Sequence, residues 1–407
     1  MAEVFSANNI KTYLVKNFIP TPALSFAVKN LKLSGGVMVS ASHNPAKFNG
    51  IKYRTYPGLS ASSRIMKEIE KNIKKDRVRI LDLKKARKKR LIETVNILTD
   101  YKKNIKRYLD WSLLKKSNLR VLIDNMYGST CDIIPSLLKN TNIKVEAIHD
   151  KPLANFGKSY PEPISCNLSQ LCNYMKEGHF DIGIALDGDG DRLGCIMPGG
   201  RFINSSQIAG LLILYFVRHK NKRGRIAKTI SCSSLLDKIC DKLKLNLIET
   251  PIGFKYLSEV MKDEDVLVAI EESGGIGIKD YIYDRDGIMI SMLLLEMLTL
   301  TKKTFATLIK EMEKEFGRFH YHRIDIEFPQ EKRKRLIRKL NNNPFKSILD
   351  KKIVNINRID GIKYLLEDGS WLIYRFSGTE PVLRLYAESQ NKRKTLKLLD
   401  FARDSIK

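Results

Sequence analysis

Three carboxylates alternate with glycine in the run Asp187-Gly188-Asp189-Gly190-Asp191-Arg192. Acidic side chains spaced in this way on a loop of little bulk can turn their oxygens toward one hard cation, as Mg²⁺ or Ca²⁺ requires. An EF-hand loop needs Gly at its sixth position and Glu at its twelfth, where this chain has Arg192 and Pro198, so that reading is excluded. Arg192 beside the acids implies an anion at the cation, and a phosphate oxygen bridging metal and guanidinium is the natural species. Ser42 and His43, in Ser40-Ala41-Ser42-His43-Asn44-Pro45, do not form a hydrolase pair. Neighbours in extended chain face opposite ways, and no Gly-x-Ser-x-Gly elbow surrounds them. Ser42 can instead carry a phosphate toward a metal with His43 and Asn44 as polar support, while a strand-to-loop cap explains the same residues equally well. In the tail, Arg375-Phe376-Ser377-Gly378-Thr379-Glu380-Pro381 combines a guanidinium, two hydroxyls and a glycine that suit a phosphate, and Arg384 lies just downstream. A plain hairpin turn is the equal alternative there.

Strands must deliver these loops. Apolar runs of strand length at residues 36–39, 182–186 and 266–270 lead into the Ser40 loop, the Asp187 loop and Glu271-Glu272-Ser273-Gly274-Gly275, respectively. Further runs at 12–15, 120–123, 144–148 and 226–230 alternate with amphipathic stretches, the pattern of α/β layers with largely parallel sheets. Ligands of open α/β sheets bind beyond the carboxyl ends of strands, so three such loops suggest three similar domains facing one cleft. After Phe319 the pattern changes to strands at 323–328, 371–376 and 383–387 with a basic helix at 332–340, a small α+β domain. Residues 60–96 predict charged helices, and short polar linkers are expected at 99–106, 219–224 and 317–322.

The 407 residues suffice for about two to four domains, and 43% hydrophobic with 29% charged residues excludes a disordered or fibrous chain. The net charge of +27 favours anionic partners without choosing among them. Its local concentration at 71–90 lacks interleaved aromatics and reads as a solvated face rather than a nucleic-acid site. No Walker A string and no Gly-x-Gly-x-x-Gly after a strand support a nucleotide domain. Six cysteines with no Cys-x-x-Cys pair argue against structural zinc, and the first 20 residues lack signal-peptide features. The longest apolar run, 209–217, is half a membrane span. A cytoplasmic protein with free thiols is expected, with neither nucleic acid nor membrane as partner and its oligomeric state open.

Taken together and in this order, the loops resemble those of the α-D-phosphohexomutase family: phosphoglucomutases, phosphomannomutases and phosphoglucosamine mutases. The resemblance implies that Ser42 is the phosphoserine, that Asp187, Asp189 and Asp191 with Ser42 hold Mg²⁺, and that His43, Lys52 and Arg192 assist catalysis. It further assigns Lys255 to the substrate cleft, Glu271 and Ser273 to the sugar, and Arg375, Ser377, Gly378 and Thr379 to the distal phosphate. The implied fold is three similar mixed-sheet α/β domains around a cleft plus a small C-terminal α+β domain of the TATA-box-binding-protein type. The implied boundaries are 1–105 with the phosphoserine loop, 106–220 with the metal loop, 221–320 with the sugar loop and 321–407 with the phosphate loop. The implied activity interconverts hexose 1-phosphate and hexose 6-phosphate through a hexose 1,6-bisphosphate, which also serves as activator. Glu272 and Gly275 fit glucose- or mannose-type mutases better than phosphoglucosamine mutases. The resemblance also implies a front segment ahead of the phosphoserine loop, a supersecondary unit of roughly 30 or more residues, that is expected to be missing from the 407 residues. A weakly active or inactive sugar-phosphate-binding relative, or a phosphoglucosamine mutase, is therefore the alternative.

Overall fold

The computed structural model describes residues 1–73, 77–342, 344–377 and 381–406, and the chain divides into two compact units. The first comprises residues 1–202 and 275–302. Its largest sheet has the strand order Arg201–Ile203, Leu193–Met197, Ile182–Leu186, Arg120–Asp124, Lys144–Ile148. The last three strands run parallel, while Leu193–Met197 runs antiparallel to Ile182–Leu186, which makes the sheet mixed. All five residues of Ile182–Leu186 are buried, as a central strand covered on both faces requires. The helix Gly287–Thr301 lies against this strand and its antiparallel neighbour and is buried from Gly287 to Leu298. Asp286 caps it, accepting from the backbone N–H of Met289 at 2.9 Å and satisfying a donor that the first turn leaves open.

Two smaller sheets complete this unit. Gly35–Val39, Ile51–Thr55 and Leu59–Ser60 pair antiparallel, and Thr12–Val15 pairs parallel with Ile92–Val95. The helix Thr21–Asn30 begins with Pro at its second position and is buried from Thr21 to Val28. Two expectations fail here. Residues 60–96 hold the expected helices Ser63–Asn72 and Leu83–Lys88, but also the strand Ile92–Val95, whose stability comes from a partner some 80 positions away. The linker expected at 99–106 lies inside the helix Leu98–Tyr108. Tyr101 and Ile105, four apart, bury one face of it, and the charged residues between them gave the segment its polar character.

The second unit comprises residues 203–274 and 303–407. Leu247–Thr250, Arg225–Thr229 and Val266–Ile270 form parallel strands in that order. The helix Ser205–Arg218 starts with a capping box, Asn204 and Gln207 each accepting from the other's backbone N–H. Six antiparallel strands follow, ordered His320–Glu327, Val382–Ser389, Trp371–Phe376, Ile362–Leu366, Lys351–Asn357, Ser347–Ile348. The helices Gln330–Asn342 and Lys392–Ser405 supply Leu336, Leu340, Leu398 and Leu399 to its core, giving the α+β arrangement expected of the tail. On other positions of that sheet Trp371, Ile373 and Tyr386 pack with Ile230.

Candidate active site

The acidic run leaves the buried strand Ile182–Leu186 as a turn, and its three carboxylates stay buried: Asp187, Asp189 and Asp191 each offer an oxygen within 4.8 Å of the others. Among the described residues this is the only cluster of three or more His, Cys, Asp or Glu side chains so placed. Ser42 Oγ donates to Asp187 Oδ2 at 3.1 Å, so the serine predicted as phosphoryl carrier sits on the predicted metal loop. Ser42 has a left-handed backbone, φ 56°, a conformation that costs about 1–3 kcal/mol in a residue other than glycine. Its N–H donates to Ser40 Oγ at 2.9 Å, and Ser40 Oγ in turn donates to Asp189 Oδ2 at 2.9 Å. Gly188 permits this approach, because a Cβ there would lie 2.5 Å from the carbonyl oxygen of Ser42.

Cations from distant segments balance the acids. Lys52 Nζ, on the strand Ile51–Thr55, is 2.5 Å from Asp189 Oδ2 and 3.0 Å from Asp191 Oδ2. Arg285 Nη2 is 2.9 Å from Asp191 Oδ2, and Arg192 Nε is 3.9 Å from Asp191 Oδ1. Thr21 Oγ1 donates to Asp189 Oδ2 at 2.6 Å. Burial, then the neighbouring Asp191 and Asp189, push Asp187 well above the usual carboxylate range. Burial acts on Asp191 in the same sense, but Arg285, Lys52 and Arg192 outweigh it and hold Asp191 well below that range. Burial would also depress Lys52, yet Asp191 and Asp189 keep it above the ordinary lysine value. His43, buried beside Arg192 and Arg285, is driven down to about 2 and stays neutral.

The donor set fits a hard divalent cation. All of its atoms are oxygens, and Asp189 Oδ1 and Asp191 Oδ1 are buried with no hydrogen-bond partner among the described residues, a costly state for a carboxylate unless a cation shares it. Thus Ser42, His43, Lys52, Arg192 and the three aspartates converge in the first unit. Thr21, Ser40 and Arg285 belong to the same cluster and were not singled out in the sequence. Arg285 sits in Asp284-Arg285-Asp286 just ahead of an apolar helix, a polar break that is a usable signal. Arg54 holds the neighbouring Asp284 at 2.7 Å, and Ser25 Oγ donates to the same oxygen at 2.6 Å.

The remaining predicted residues lie in the second unit. Glu271 and Ser273 follow the strand Val266–Ile270, and Ser273 Oγ donates to Glu271 Oε1 at 2.8 Å, which orients a buried carboxylate next to a hydroxyl. Glu272 is anchored: its Oε2 accepts from Ser231 Oγ at 2.6 Å and Thr229 Oγ1 at 3.1 Å. Lys255 stands in the first turn of the helix Phe254–Asp263, its ammonium 4.9 Å from the centre of the Tyr256 ring. Arg375 Nε donates to Asp360 Oδ2 at 2.9 Å, and the Ser377 carbonyl accepts from Arg333 Nη1 at 3.2 Å. Gly378 and Thr379 lie outside the described residues.

Four family models match the chain in succession. Those described as phosphoglucomutase/phosphomannomutase alpha/beta/alpha domains I, II and III match residues 1–79, 99–200 and 204–316, and that of the C-terminal domain matches 327–405. A phosphoglucomutase/phosphomannomutase of Thermococcus kodakarensis is 29% identical over 384 residues, 94% of this chain and 80% of that one. A phosphoglucosamine/phosphogalactosamine mutase of Sulfurisphaera tokodaii is 29% identical over 92% of this chain and 80% of its own length. Among solved structures, one from Thermus thermophilus with a phosphomannomutase designation superposes with a TM-score of 0.86 at 30% identity, covering 98% of this chain and 85% of that one.

Proposed function

Because the chain belongs to the α-D-phosphohexomutase family, we propose that it is an Mg²⁺-dependent intramolecular phosphotransferase that interconverts the 1- and 6-phosphates of glucose or mannose. The observation that carries this reading is the seat of Ser42: its hydroxyl lies on Asp187 inside a buried set of oxygen ligands and flanking cations. Phosphoryl transfer asks for positioning and charge neutralisation more than for covalent chemistry from the protein, and this cluster supplies both.

In the proposed cycle, phosphorylated Ser42 gives its phosphoryl group to the free hydroxyl of a hexose monophosphate. The P–Oγ bond breaks as the P–O(sugar) bond forms, giving a hexose 1,6-bisphosphate. The sugar hydroxyl's proton ends on the departing Ser42 Oγ, relayed beside His43 and the Lys52 ammonium, and passes to the sugar oxygen released when Ser42 Oγ takes the other phosphate. A divalent cation held by Asp187, Asp189, Asp191 and the oxygen on Ser42 would neutralise charge on the group in transit. Arg192 steadies the equatorial oxygens. Glu271 and Ser273 hold sugar hydroxyls, Lys255 contacts the sugar phosphate, and Arg375 and Ser377, with Gly378 and Thr379, grip the phosphate that is not reacting. Added hexose 1,6-bisphosphate would recharge Ser42 and so act as activator. A cytoplasmic setting fits six free cysteines, and no helix among the described residues is long and apolar enough to cross a membrane.

Phosphoglucosamine turnover is the second reading, favoured by relatives named as phosphoglucosamine mutases in Campylobacter curvus and Nautilia profundicola, 29% and 28% identical. A coupled assay with glucose 1-phosphate, mannose 1-phosphate and glucosamine 1-phosphate, with and without bisphosphate, separates the two. Turnover of glucosamine 1-phosphate alone would replace the first reading, and binding of all three without turnover would point to a sugar-phosphate-binding relative.

A further inference from the structure

Asp360 lies in the turn between the strands Lys351–Asn357 and Ile362–Leu366, and one of its carboxylate oxygens serves two partners. Oδ2 accepts from Arg375 Nε at 2.9 Å and from the backbone N–H of Ile252 at 2.9 Å. The first partner is the guanidinium assigned to the phosphate; the second lies in the turn that leads into the helix carrying Lys255. The Asp360 turn is itself pinned. Asn357 Nδ2 donates to Glu249 Oε1 at 2.8 Å, and Lys363 Nζ donates to the Ile230 carbonyl at 2.8 Å. Gly361, φ 82°, lets the turn sit close against Arg375's strand, since a Cβ there would meet the Tyr374 carbonyl oxygen at 2.4 Å. With side chains only 14% and 24% exposed, the Arg375–Asp360 pair is shielded enough to hold one geometry. A carboxylate on Nε sets the plane of the guanidinium fork and leaves its two Nη groups to face an oxyanion.

The geometry points to Asp360 as the positioning residue that holds Arg375 and the turn leading into the Lys255 helix in one arrangement for a hexose phosphate. This rests on the reading of Arg375 as a phosphate grip. The sign of the effect separates positioning from simple electrostatics. A carboxylate near a phosphate repels it, so on charge alone Asp360→Asn tightens binding. Positioning demands the opposite: without its ionic partner Arg375 reorients, and affinity falls although the protein has gained positive charge.

The test titrates glucose 1-phosphate by calorimetry into wild type, Asp360→Asn, Asp360→Glu, Arg375→Ala and the double variants of each Asp360 substitution with Arg375→Ala, alongside kcat and KM. Arg375→Ala is expected to weaken binding roughly tenfold, as loss of a charge-assisted bidentate contact does. Asp360→Asn is expected to raise Kd and KM about three- to tenfold with kcat changed less than about twofold, and to add nothing in the Arg375→Ala background. Unchanged or tighter binding in Asp360→Asn, with Arg375→Ala impaired, overturns the positioning role and leaves the phosphate grip standing. Unimpaired Arg375→Ala overturns the grip and the positioning role with it. Should Asp360→Asn fail to fold, Asp360→Glu carries the test, because it keeps the charge but moves the carboxylate by one methylene: wild-type affinity there overturns the proposal, and a loss of about threefold or more that is absent in the Arg375→Ala background sustains it.

Discussion

Replacing Lys52 by Met asks whether the acidic loop is a charge trap built for a divalent cation. The ammonium lies 2.5 Å from Asp189 and 3.0 Å from Asp191, with its side chain 19% exposed against 5% and 0% for the two acids. Removing one partner of a buried ion pair costs about 3–5 kcal/mol, because the other charge stays behind. Asp191 keeps Arg285 at 2.9 Å and Asp189 keeps hydroxyl donors from Thr21 and Ser40, which places the cost at the lower end, about 3 kcal/mol. At roughly 2–4 °C per kcal/mol for a domain of this size, Tm should fall by about 6–12 °C in EDTA. A divalent cation on the same carboxylates restores the balance, and at a hundredfold excess over its Kd contributes about 2.7 kcal/mol. Thermal unfolding in EDTA and in saturating Mg²⁺ therefore gives a wide gap between wild type and Lys52→Met without metal and a narrow one with it. If Lys52→Met melts with wild type in EDTA, or if Mg²⁺ raises both by the same amount, Lys52 and the cation do not share these carboxylates and the reasoning fails.

On the proposed reading Ser42 carries the phosphoryl group, so mass analysis should find phosphate on its peptide and Ser42→Ala should lose about three or more decades of turnover; phosphate elsewhere with full activity in the variant would refute this. Asp189→Asn keeps the shape of a ligand but removes its charge, and activity should collapse with the fold intact; unchanged Mg²⁺ dependence would take the loop out of the mechanism. Asp286 accepts from Tyr101 and Tyr281 hydroxyls, and burial lifts it to about 6. The folded chain then binds a proton between about pH 4 and pH 6 that the unfolded chain has released, so this carboxyl's contribution to stability declines by about 3 kcal/mol as pH rises through 6. Asp286→Asn keeps an N-cap oxygen and removes the titration, so urea unfolding should show wild type losing stability relative to the variant between about pH 4 and pH 7; parallel profiles would overturn it.

What could be read from the sequence is what neighbouring residues encode. The strands Ile182–Leu186, Val266–Ile270 and Trp371–Phe376 are visible as apolar runs because each is buried by contacts that only need it to be apolar. Ile92–Val95 is invisible by the same logic: it carries one buried residue, Ile92, and owes its extended form to pairing with Thr12–Val15. The helix Leu98–Tyr108 hides its two buried residues among lysines, so its polarity suggested a linker where its spacing was that of a helix.

The site divides along the same line. Asp187, Asp189 and Asp191 lie within five positions, so their shared purpose shows locally, whereas Lys52 reaches Asp189 across 137 positions and Arg285 reaches Asp191 across 94. Lys52 is reachable from the sequence only through the family resemblance, and Arg285 only as a polar break ahead of an apolar helix; local order places neither of them at these acids. Their number is another matter. Each buried carboxylate must be neutralised, ion-paired or bound to a metal, since leaving it charged and alone costs several kcal/mol. With one local cation, Arg192, three acids on a buried strand end demand at least one proton, one metal or further cations from elsewhere in the chain. Lys52 and Arg285 come in from outside, so that with Arg192 three cations face three acids. A divalent cation brought to this loop competes with Lys52 for Asp189 and Asp191, which is why the Lys52→Met comparison, made with and without Mg²⁺, bears on how the site is loaded as well as on how it is held.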